Sequence, residues 1–567
     1  MKGFNLKIFK QFWAIAKLYW WGEEKKGALT LLALLGLLLI GYTQLSVILN
    51  TQQGGIISSL SAKDQTRFWQ TIWTFLGVLI VYVPLFAGFS YLQNKLGLFW
   101  RRWLTNRFLG QYFGDRSFYH LSNVTNDIDN PDQRISEDIR SFTQDSLVFL
   151  LVIIQSVLQV IAFSGVLWGI SPKLVIFLVI YALAGTLITT GFFGRILVKL
   201  NFEQLKKEAN FRFGLVRIRE NAESIAFYRG EQQELNHLNN LFNQVFNNFN
   251  ALILWQELYL GLFTNSYEFI TYIIPAVIVA PSVFSGDFEV GKVTEAQGAF
   301  FRIFYSLNII VSRFQSLTNF AAGVNRLSSF SEYLDEDKLH ITVRKAEQPK
   351  LDFRENGRLE ISHLTLQTPN YQRTLFKDIS FNLKPGQGLL IMGASGCGKS
   401  SLLRAIAGLW NSGTGAIIRP NLAEILFLPQ KPYMILGTLR EQLTYPNLNL
   451  EISDKELETK LKEVNLGDLA ERFGGFDVEK DWGEVLSLGE QQRIAFARIL
   501  ITKPPYAILD EATSALDLNN EQSLYQHLEQ TKTTFISVGH RQTLTKYHQL
   551  LLEISEDNTW KLTEIDD

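Results

Sequence analysis

Cysteine occurs once in this chain, at Cys397. A lone thiol closes no intrachain disulfide, and it supplies neither a CxxC redox pair nor a multi-cysteine metal site. A basic excess is missing as well, since 54 Lys and Arg stand against 55 Asp and Glu. Nucleic-acid binders normally carry clustered positive charge, so nucleic acid is not expected among the partners. Internal repeats and low-complexity segments are also absent. What the 567 residues hold in quantity is apolar surface: 47% hydrophobic, with 42 Phe and 12 Trp. The mean hydropathy is nevertheless only +0.05. An apolar half averaged with a polar half gives such a value, and the length exceeds one domain of roughly 100–200 residues.

The apolar half comes first. Ala28–Leu49, Phe68–Tyr91, Ser146–Ile170 and Leu174–Gly194 contain no charged residue, and each reaches the roughly 20 residues needed to cross a bilayer. Ala28–Leu49 is too long for a signal-peptide core and lacks an obvious cleavage site, so it reads as a retained span. Two further runs, Leu260–Phe284 and Ala299–Ala322, carry Glu268, Arg302 and Arg313. Such groups do not face hydrocarbon, so these two spans are expected to line something wet.

Lysine and arginine concentrate on the cytoplasmic side of span ends. Lys2, Lys7, Lys10, Lys17, Lys25 and Lys26 lie in the head of the chain. Arg101, Arg102, Arg107 and Arg116 lie between the second and third spans, and Lys206, Lys207, Arg212, Arg217 and Arg219 between the fourth and fifth. The loops around Ser61 and Asp287 are nearly neutral or acidic. Six spans with both termini in the cytoplasm satisfy this pattern. The two cytoplasmic connections, about 50–65 residues each, are too long for structureless loops and are expected to continue the spans as helices. Ahead of the first span, aromatic residues among lysines suit a helix in the headgroup region or an ordinary start of that span, and 1–26 is assigned to the former.

After Ala322 the apolar pattern stops. Ser328–Gly357 is charged and contains proline, so 27–330 is taken as the membrane domain and 331–357 as a linker. From Leu359 short strands alternate with helices, the pattern of an α/β domain filling 358–567.

Gly393-Ala394-Ser395-Gly396-Cys397-Gly398-Lys399-Ser400 fits G-x-x-x-x-G-K-[ST], with a strand-like Leu389–Met392 before it and a helical Ser401–Leu409 after it. Both flanks argue against a chance glycine-rich turn. In such a loop the backbone N–H groups and the helix start hold phosphates, Lys399 reaches the β- and γ-phosphates, and Ser400 binds Mg²⁺. Gly393, Ser395, Gly396, Gly398 and Ser401 complete the candidate ATP cradle. Tyr506–Leu509 is an apolar strand ending in Asp510 and Glu511. That arrangement can hold Mg²⁺ through the aspartate and polarise a water through the glutamate.

Between these motifs lies Leu486-Ser487-Leu488-Gly489-Glu490-Gln491-Gln492-Arg493. The tract resembles the LSGGQ signature of ABC transporters, with Leu488 for the first central Gly and Glu490 for the Gln. Gln430, Ser514-Ala515-Leu516-Asp517 and His540 follow the same family order as the Q-loop, the D-loop and the switch histidine. The membrane half adds Asn130-Pro131-Asp132-Gln133-Arg134-Ile135 and Glu223–Gly230. These are similar to family D half-transporters and to BacA/SbmA-like peptide transporters, so the resemblance covers nearly the whole chain.

The resemblance implies a six-span exporter-type helical domain joined to a P-loop ABC ATPase, with ATP and Mg²⁺ as cofactors. It implies Glu511 as general base, His540 on the γ-phosphate, and Gln430 sensing Mg²⁺ and water. Ser400, Gln430 and Asp510 would surround the metal, and Ser487, Gly489, Glu490 and Asp517 would cap nucleotide on the opposite subunit. Where the family stacks an aromatic ring on adenine, this chain has Thr368. Tyr371, three residues on, is either a substitute or an exposed turn residue. Asn126–Ile135 and Asn210–Arg219 would be the coupling helices.

Asn308, Ser312, Gln315 and Asn319 share one helical face of the sixth span, and Asn265, Glu268 and Tyr272 one face of the fifth. The faces suit either helix packing or a wide aqueous path, and the surplus of polar groups favours the path. The resulting expectation is a homodimeric transporter in a lipid bilayer, moving hydrophilic small molecules or peptides such as cobalamin. A bacterial cell membrane is the expected location. An acyl-CoA or lipid carrier and a nucleotide-gated regulator or channel are the rival readings. The resemblance leaves import and export both open.

Overall fold

A computed structural model describes residues 6–123, 131–309, 313–343, 349–555 and 559–565. The chain forms two compact units, Met1–Leu339 and His340–Asp567.

The first unit is helical. Its main helices are α1 (Leu6–Trp20), α2 (Lys25–Ser61), α3 (Gln65–Phe113), α4 (Ile139–Ile170), α5 (Pro172–Ile188), α6 (Gly194–Glu220), α7 (Glu231–Ile253), α8 (Gly261–Phe284), α9 (Gly291–Leu307) and α10 (Phe314–Val343). Five helical stretches, Lys25–Ser61, Gln65–Phe113, Pro131–Ile170, Pro172–Glu220 and Glu231–Phe284, are long and apolar enough to cross a membrane. As expected, the long connections continue the spans. α3 runs on to Phe113, and a π-helical turn at Thr189–Phe193 joins α5 to α6.

The sixth expected span is different. Residues 310–312 of Ala299–Ala322 lie outside the described residues, and among the described ones neither α9 nor α10 reaches the length and hydropathy of the other five. Asn308 closes α9, its amide donating back to the Phe304 carbonyl at 3.0 Å. A side chain that offers the backbone such an alternative partner favours a helix end.

α9 is held by close approach and by buried polar contacts. A Cβ at Gly291 would sit 1.9 Å from the Gly54 carbonyl oxygen, and one at Gly298 1.8 Å from Asn50 Oδ1. Small residues let two backbones approach in this way where lipid gives no hydrophobic drive. Buried Glu295 accepts from Thr51 Oγ1 (3.1 Å) and pairs with Lys292 (2.6 Å). At the other end, Arg134 and Asp138 are buried against α10. Arg134 donates to the Arg326 carbonyl (2.7 Å), and the Arg326 guanidinium grips Asp138, with Nε 2.9 Å from Oδ2. α1 buries Tyr19 and Trp20 against Trp100, with ring centroids 5.6 and 5.4 Å away.

The second unit is α/β. β1 (Asp352–Glu355), β2 (Leu359–Gln367), β3 (Thr374–Leu383) and β5 (Gly413–Arg419) form a four-stranded sheet in the order β1-β5-β2-β3. The larger sheet has the order β10-β9-β4-β8-β7-β6, built from β4 (Gly388–Gly393), β6 (Ile425–Leu428), β7 (Tyr506–Asp510), β8 (Thr534–Val538), β9 (Leu550–Ile554) and β10 (Trp560–Glu564). β6, β7, β8, β4 and β9 are parallel neighbours. Their near-continuous apolar runs, such as Leu389–Ile391 and Phe535–Ile536, are what strands covered on both faces require. One core lies between the sheets around α11 (Lys399–Ile406), and the other holds α12 (Leu488–Thr502) and α13 (Leu518–Gln530).

Candidate nucleotide site

Register decides the site. Val538 pairs with both Asp510 and Ile391, and Leu428 with Leu509. The carboxyl ends of four adjacent parallel strands therefore finish at one edge. They deliver the loop after β4, the acidic pair after β7, His540 after β8 and Gln430 after β6. The crevice outside such strand ends is where open α/β sheets take ligands.

The loop after β4 needs its glycines. Gly398 has φ +105° and a Cβ there would lie 2.8 Å from the Phe376 ring, while Gly393 has φ +155° and would meet the Ile554 carbonyl oxygen at 2.4 Å. Lys399 is buried, and its ammonium donates to the Gly393 and Ala394 carbonyls at 2.8 and 2.9 Å, folded over the loop that contains Ser395 and Gly396. Ser400 Oγ, in the first turn of α11, donates to Asp510 Oδ1 at 2.9 Å. Ser401 follows it, half-buried. Burial raises the Asp510 carboxyl above its ordinary range against the Ser400 hydrogen bond, and neighbouring Glu511 adds to the rise.

Glu511 leaves the strand at φ +49° and stays there because its N–H is tied to the Val538 carbonyl at 3.1 Å. Non-glycine residues hold this conformation only where the surroundings over-determine it. The turn aims the carboxylate at two partners: Gln430 Nε2 donates to Oε2 at 2.8 Å, and His540 Nε2 lies 3.1 Å from Oε1. Three residues widely separated in sequence meet at one carboxylate.

Gln492 was not singled out by its sequence. It is fully buried on α12, where its amide donates to the Gln430 carbonyl (2.8 Å) and Ser514 Oγ (3.2 Å) and accepts from the Ala515 N–H (3.1 Å). The signal for it was an amide inside a helix face that continues as Ile494, Ala495 and Ala497, all buried. A buried amide of that kind must be bridging something.

Ser487 caps α12 in a reciprocal box with Glu490. Its Oγ accepts the Glu490 N–H at 3.3 Å, and Glu490 Oε2 accepts the Ser487 N–H at 2.9 Å. Gly489 leaves room for the next loop, since a Cβ there would approach the Ala515 carbonyl oxygen to 3.1 Å. Asp517 caps α13 by accepting from the Asn520 N–H at 2.8 Å, which holds its carboxyl below the usual range. Apart from Glu490, which also accepts from Arg472, the described side-chain hydrogen bonds of these residues run to their own neighbours, and none joins them to the loop after β4. Tyr371 sits at the tip of the β2–β3 hairpin at φ +59°, its N–H bonded to the Thr368 carbonyl.

In the helical unit the polar faces divide between contacts within one helix and contacts across helices. Asn265 donates to its own Gly261 carbonyl at 2.8 Å, and Glu268 accepts from the Tyr305 hydroxyl across to α9. The Tyr272 carbonyl accepts from Gln297 (2.6 Å), and Asn319 is exposed on α10. Ser312 and the Gln315 side chain lie outside the described residues. Asn210–Arg219 continues α6, and the separate short helix that follows, Ala222–Tyr228, exposes Phe227 and Tyr228.

Residues 15–284 match the family described as ABC transporter transmembrane region 2, and residues 376–514 the ABC transporter family. An uncharacterized ABC transporter ATP-binding protein of Synechocystis sp. is 48% identical over 94% of this chain and 81% of its own length. The chloroplastic ABC transporter D family member 2 of Arabidopsis thaliana is 38% identical over 99% of this chain and 88% of its own. The lysosomal cobalamin transporter of Homo sapiens is 31% identical over 99% and 97%.

Proposed function

The chain belongs to the ABC transporters, with relatives in the D family, and we propose that it works as a homodimer moving hydrophilic solutes such as cobalamin or peptides. It is a multi-pass membrane protein whose ATPase drives transport. The observation that carries the reading is the meeting of Gln430 and His540 on Glu511, beside the Ser400–Asp510 pair.

In this reading ATP lies along the loop after β4, its phosphates on the N–H groups of Ser395 to Ser400 and on Lys399. Lys399 exchanges its two carbonyl partners for phosphate oxygens. The hydroxyl of Ser400, the carboxylate of Asp510 and the amide oxygen of Gln430 form a hard-oxygen set that fits Mg²⁺, which keeps several waters and takes phosphate oxygens besides one or two carboxylates. Held there, Mg²⁺ would supply charge neutralisation for the phosphates. Glu511 orients a water and takes its proton, and His540 donates to the γ-phosphate. Positioning and charge stabilisation supply most of the rate. Ser487 and Gly489 of one subunit complete the site built on Lys399 of the other, so two copies make two hydrolytic sites. Closure of that dimer would be relayed through the expected coupling segments Asn126–Ile135, of which 126–130 lie outside the described residues, and Asn210–Arg219.

For the cargo, support comes from the cobalamin transporter relative. The Lys and Arg distribution supports cytoplasmic termini, and relatives in Synechocystis and Escherichia coli support a bacterial cell membrane. ATP-dependent uptake into inside-out and right-side-out proteoliposomes, with cobalamin, a proline-rich peptide and an acyl-CoA in parallel, tests cargo and direction together. ATPase stimulation by acyl-CoA alone overturns the hydrophilic cargo. Transport that survives Glu511→Gln while hydrolysis stops would replace the pump by a nucleotide-gated regulator.

A further inference from the structure

Glu490 puts a carboxylate where the family's signature has an uncharged amide. A free anion beside a phosphate-binding hydroxyl would repel the nucleotide, because like charges a few ångströms apart interact strongly wherever water is partly excluded. In this structure Glu490 is not free. Oε2 accepts from both the N–H and the hydroxyl of Ser487, each at 2.9 Å. Oε1 is held by Arg472 Nη2 at 2.5 Å.

Arg472 comes from a separate short helix, Leu469–Phe473, so the pair is tertiary rather than a consequence of helix spacing. Glu490 is only 15% exposed, and Arg472, at 41%, spreads over the Phe473 ring 4.9 Å away. The other acid near Arg472 is Asp468, at 4.0 Å and largely in solvent. Arg493, the second cation of this region, is turned to the carbonyls of Gly489 (3.3 Å) and Asn465 (2.7 Å). Burial would raise the Glu490 carboxyl, yet Arg472 and Ser487 together bring it below its usual value. The tract therefore carries a full negative charge with one dedicated counter-ion.

We propose that Arg472 is a positioning residue for ATP hydrolysis: it cancels the charge of Glu490 and pins that carboxylate as the cap of α12, leaving the Ser487 hydroxyl able to turn to a phosphate. The proposal rests on the reading that Ser487 faces nucleotide bound to the opposite subunit. It gives the altered signature a compensating partner eighteen residues upstream. Packing alone would make Arg472 equally important whatever stands at 490, whereas charge cancellation makes it dispensable once the charge is gone.

A double-mutant cycle on the full-length transporter separates these accounts. Arg472→Ala is expected to raise the KM for ATP about tenfold, a loss near 1.4 kcal/mol, with a smaller fall in kcat, and Arg472→Lys to recover most of it. In the Glu490→Gln background, Arg472→Ala should change KM by less than about twofold. An unchanged KM in Arg472→Ala, or a defect equally large in the Glu490→Gln background, overturns the proposal. Ser487→Arg tests the underlying reading separately: if it leaves ATPase activity intact, the composite site itself is wrong, whatever Arg472 does.

Discussion

The strand ends of the α/β unit and the asparagines on the helix faces of the other unit use their polar groups differently. At the strand ends of the α/β unit, side chains distant in sequence reach one another: Ser400 to Asp510, Gln430 and His540 to Glu511, Gln492 to the loops of Gln430 and Ala515. In the helical unit Asn265 and Asn308 bond the carbonyl one turn back on their own helix. The first arrangement depends on the fold being assembled, so it is a candidate site. The second would exist in an isolated helix, so it marks no site by itself. Polar residues on a helix face are thus weak reporters of a ligand path, and polar residues at the ends of neighbouring parallel strands are strong ones.

The sharpest way to break that contrast is Glu511→Gln. A positioned general base contributes about 10²–10⁴-fold, so phosphate release should fall by at least two orders of magnitude while ATP binding survives on the loop after β4. Hydrolysis within tenfold of the parent would show that the cluster around Glu511 is not the reaction centre.

In the helical unit the largest effect should come from backbone contact rather than from a polar side chain. Gly291→Val would drive a Cβ against the Gly54 carbonyl and Ser58 Oγ. Overpacking of this kind costs about 1–3 kcal/mol or more, so the melting temperature in detergent should drop and the folded yield with it. A fully stable Gly291→Val protein would mean that α2 and α9 are free to separate.

The α/β unit also contains a polar group that resembles the self-satisfied asparagines. His548 is buried, its Nδ1 2.7 Å from its own Leu544 carbonyl, and burial lowers its pKa to about 4 from 6.5. A histidine whose folded pKa is depressed takes up its proton more readily when unfolded, so its contribution to stability is complete above about 6.5 and is lost as pH falls toward 4. The full shift corresponds to about 3 kcal/mol. His548→Asn, which keeps an N–H for the carbonyl, should flatten the acid limb of stability against pH. An unchanged slope would assign acid sensitivity to other groups.

What could be read from the residues follows the same division. As candidates, the glycines, Lys399, Ser400, Asp510 and Glu511 were legible because phosphate chemistry restricts their types and their spacing to a strand end, whereas Gln430 and His540 were named through the family resemblance. Gln492 was not legible, because its partners are two loops brought together only by the finished sheet. Four spans announced themselves by uninterrupted hydropathy, whereas the fifth carries Glu268 and the sixth depended on a stretch containing Arg302, Asn308 and Arg313, whose described residues belong to α9 and α10. Gly54 and Gly291 are 237 positions apart, and no periodicity in the sequence pairs them.

The smallest expected effect is also the most discriminating for cargo. Asn265→Ala and Asn308→Ala each remove a hydrogen bond to a carbonyl that keeps its own helical partner, so stability should change by no more than about 0.5 kcal/mol. If uptake is unchanged as well, the asparagines do no more than decorate their helices, and the contrast between the units stands. A several-fold rise in the cargo concentration needed for half-maximal uptake, at unchanged melting temperature and basal ATPase, would place the side chain on the path. Asn265 is the better position to try first: it is exposed, while Asn308 is half-buried beside Phe304. An exposed amide can leave its helix carbonyl for a passing solute, because the Gly261 carbonyl also accepts from the Thr264 hydroxyl at 3.2 Å.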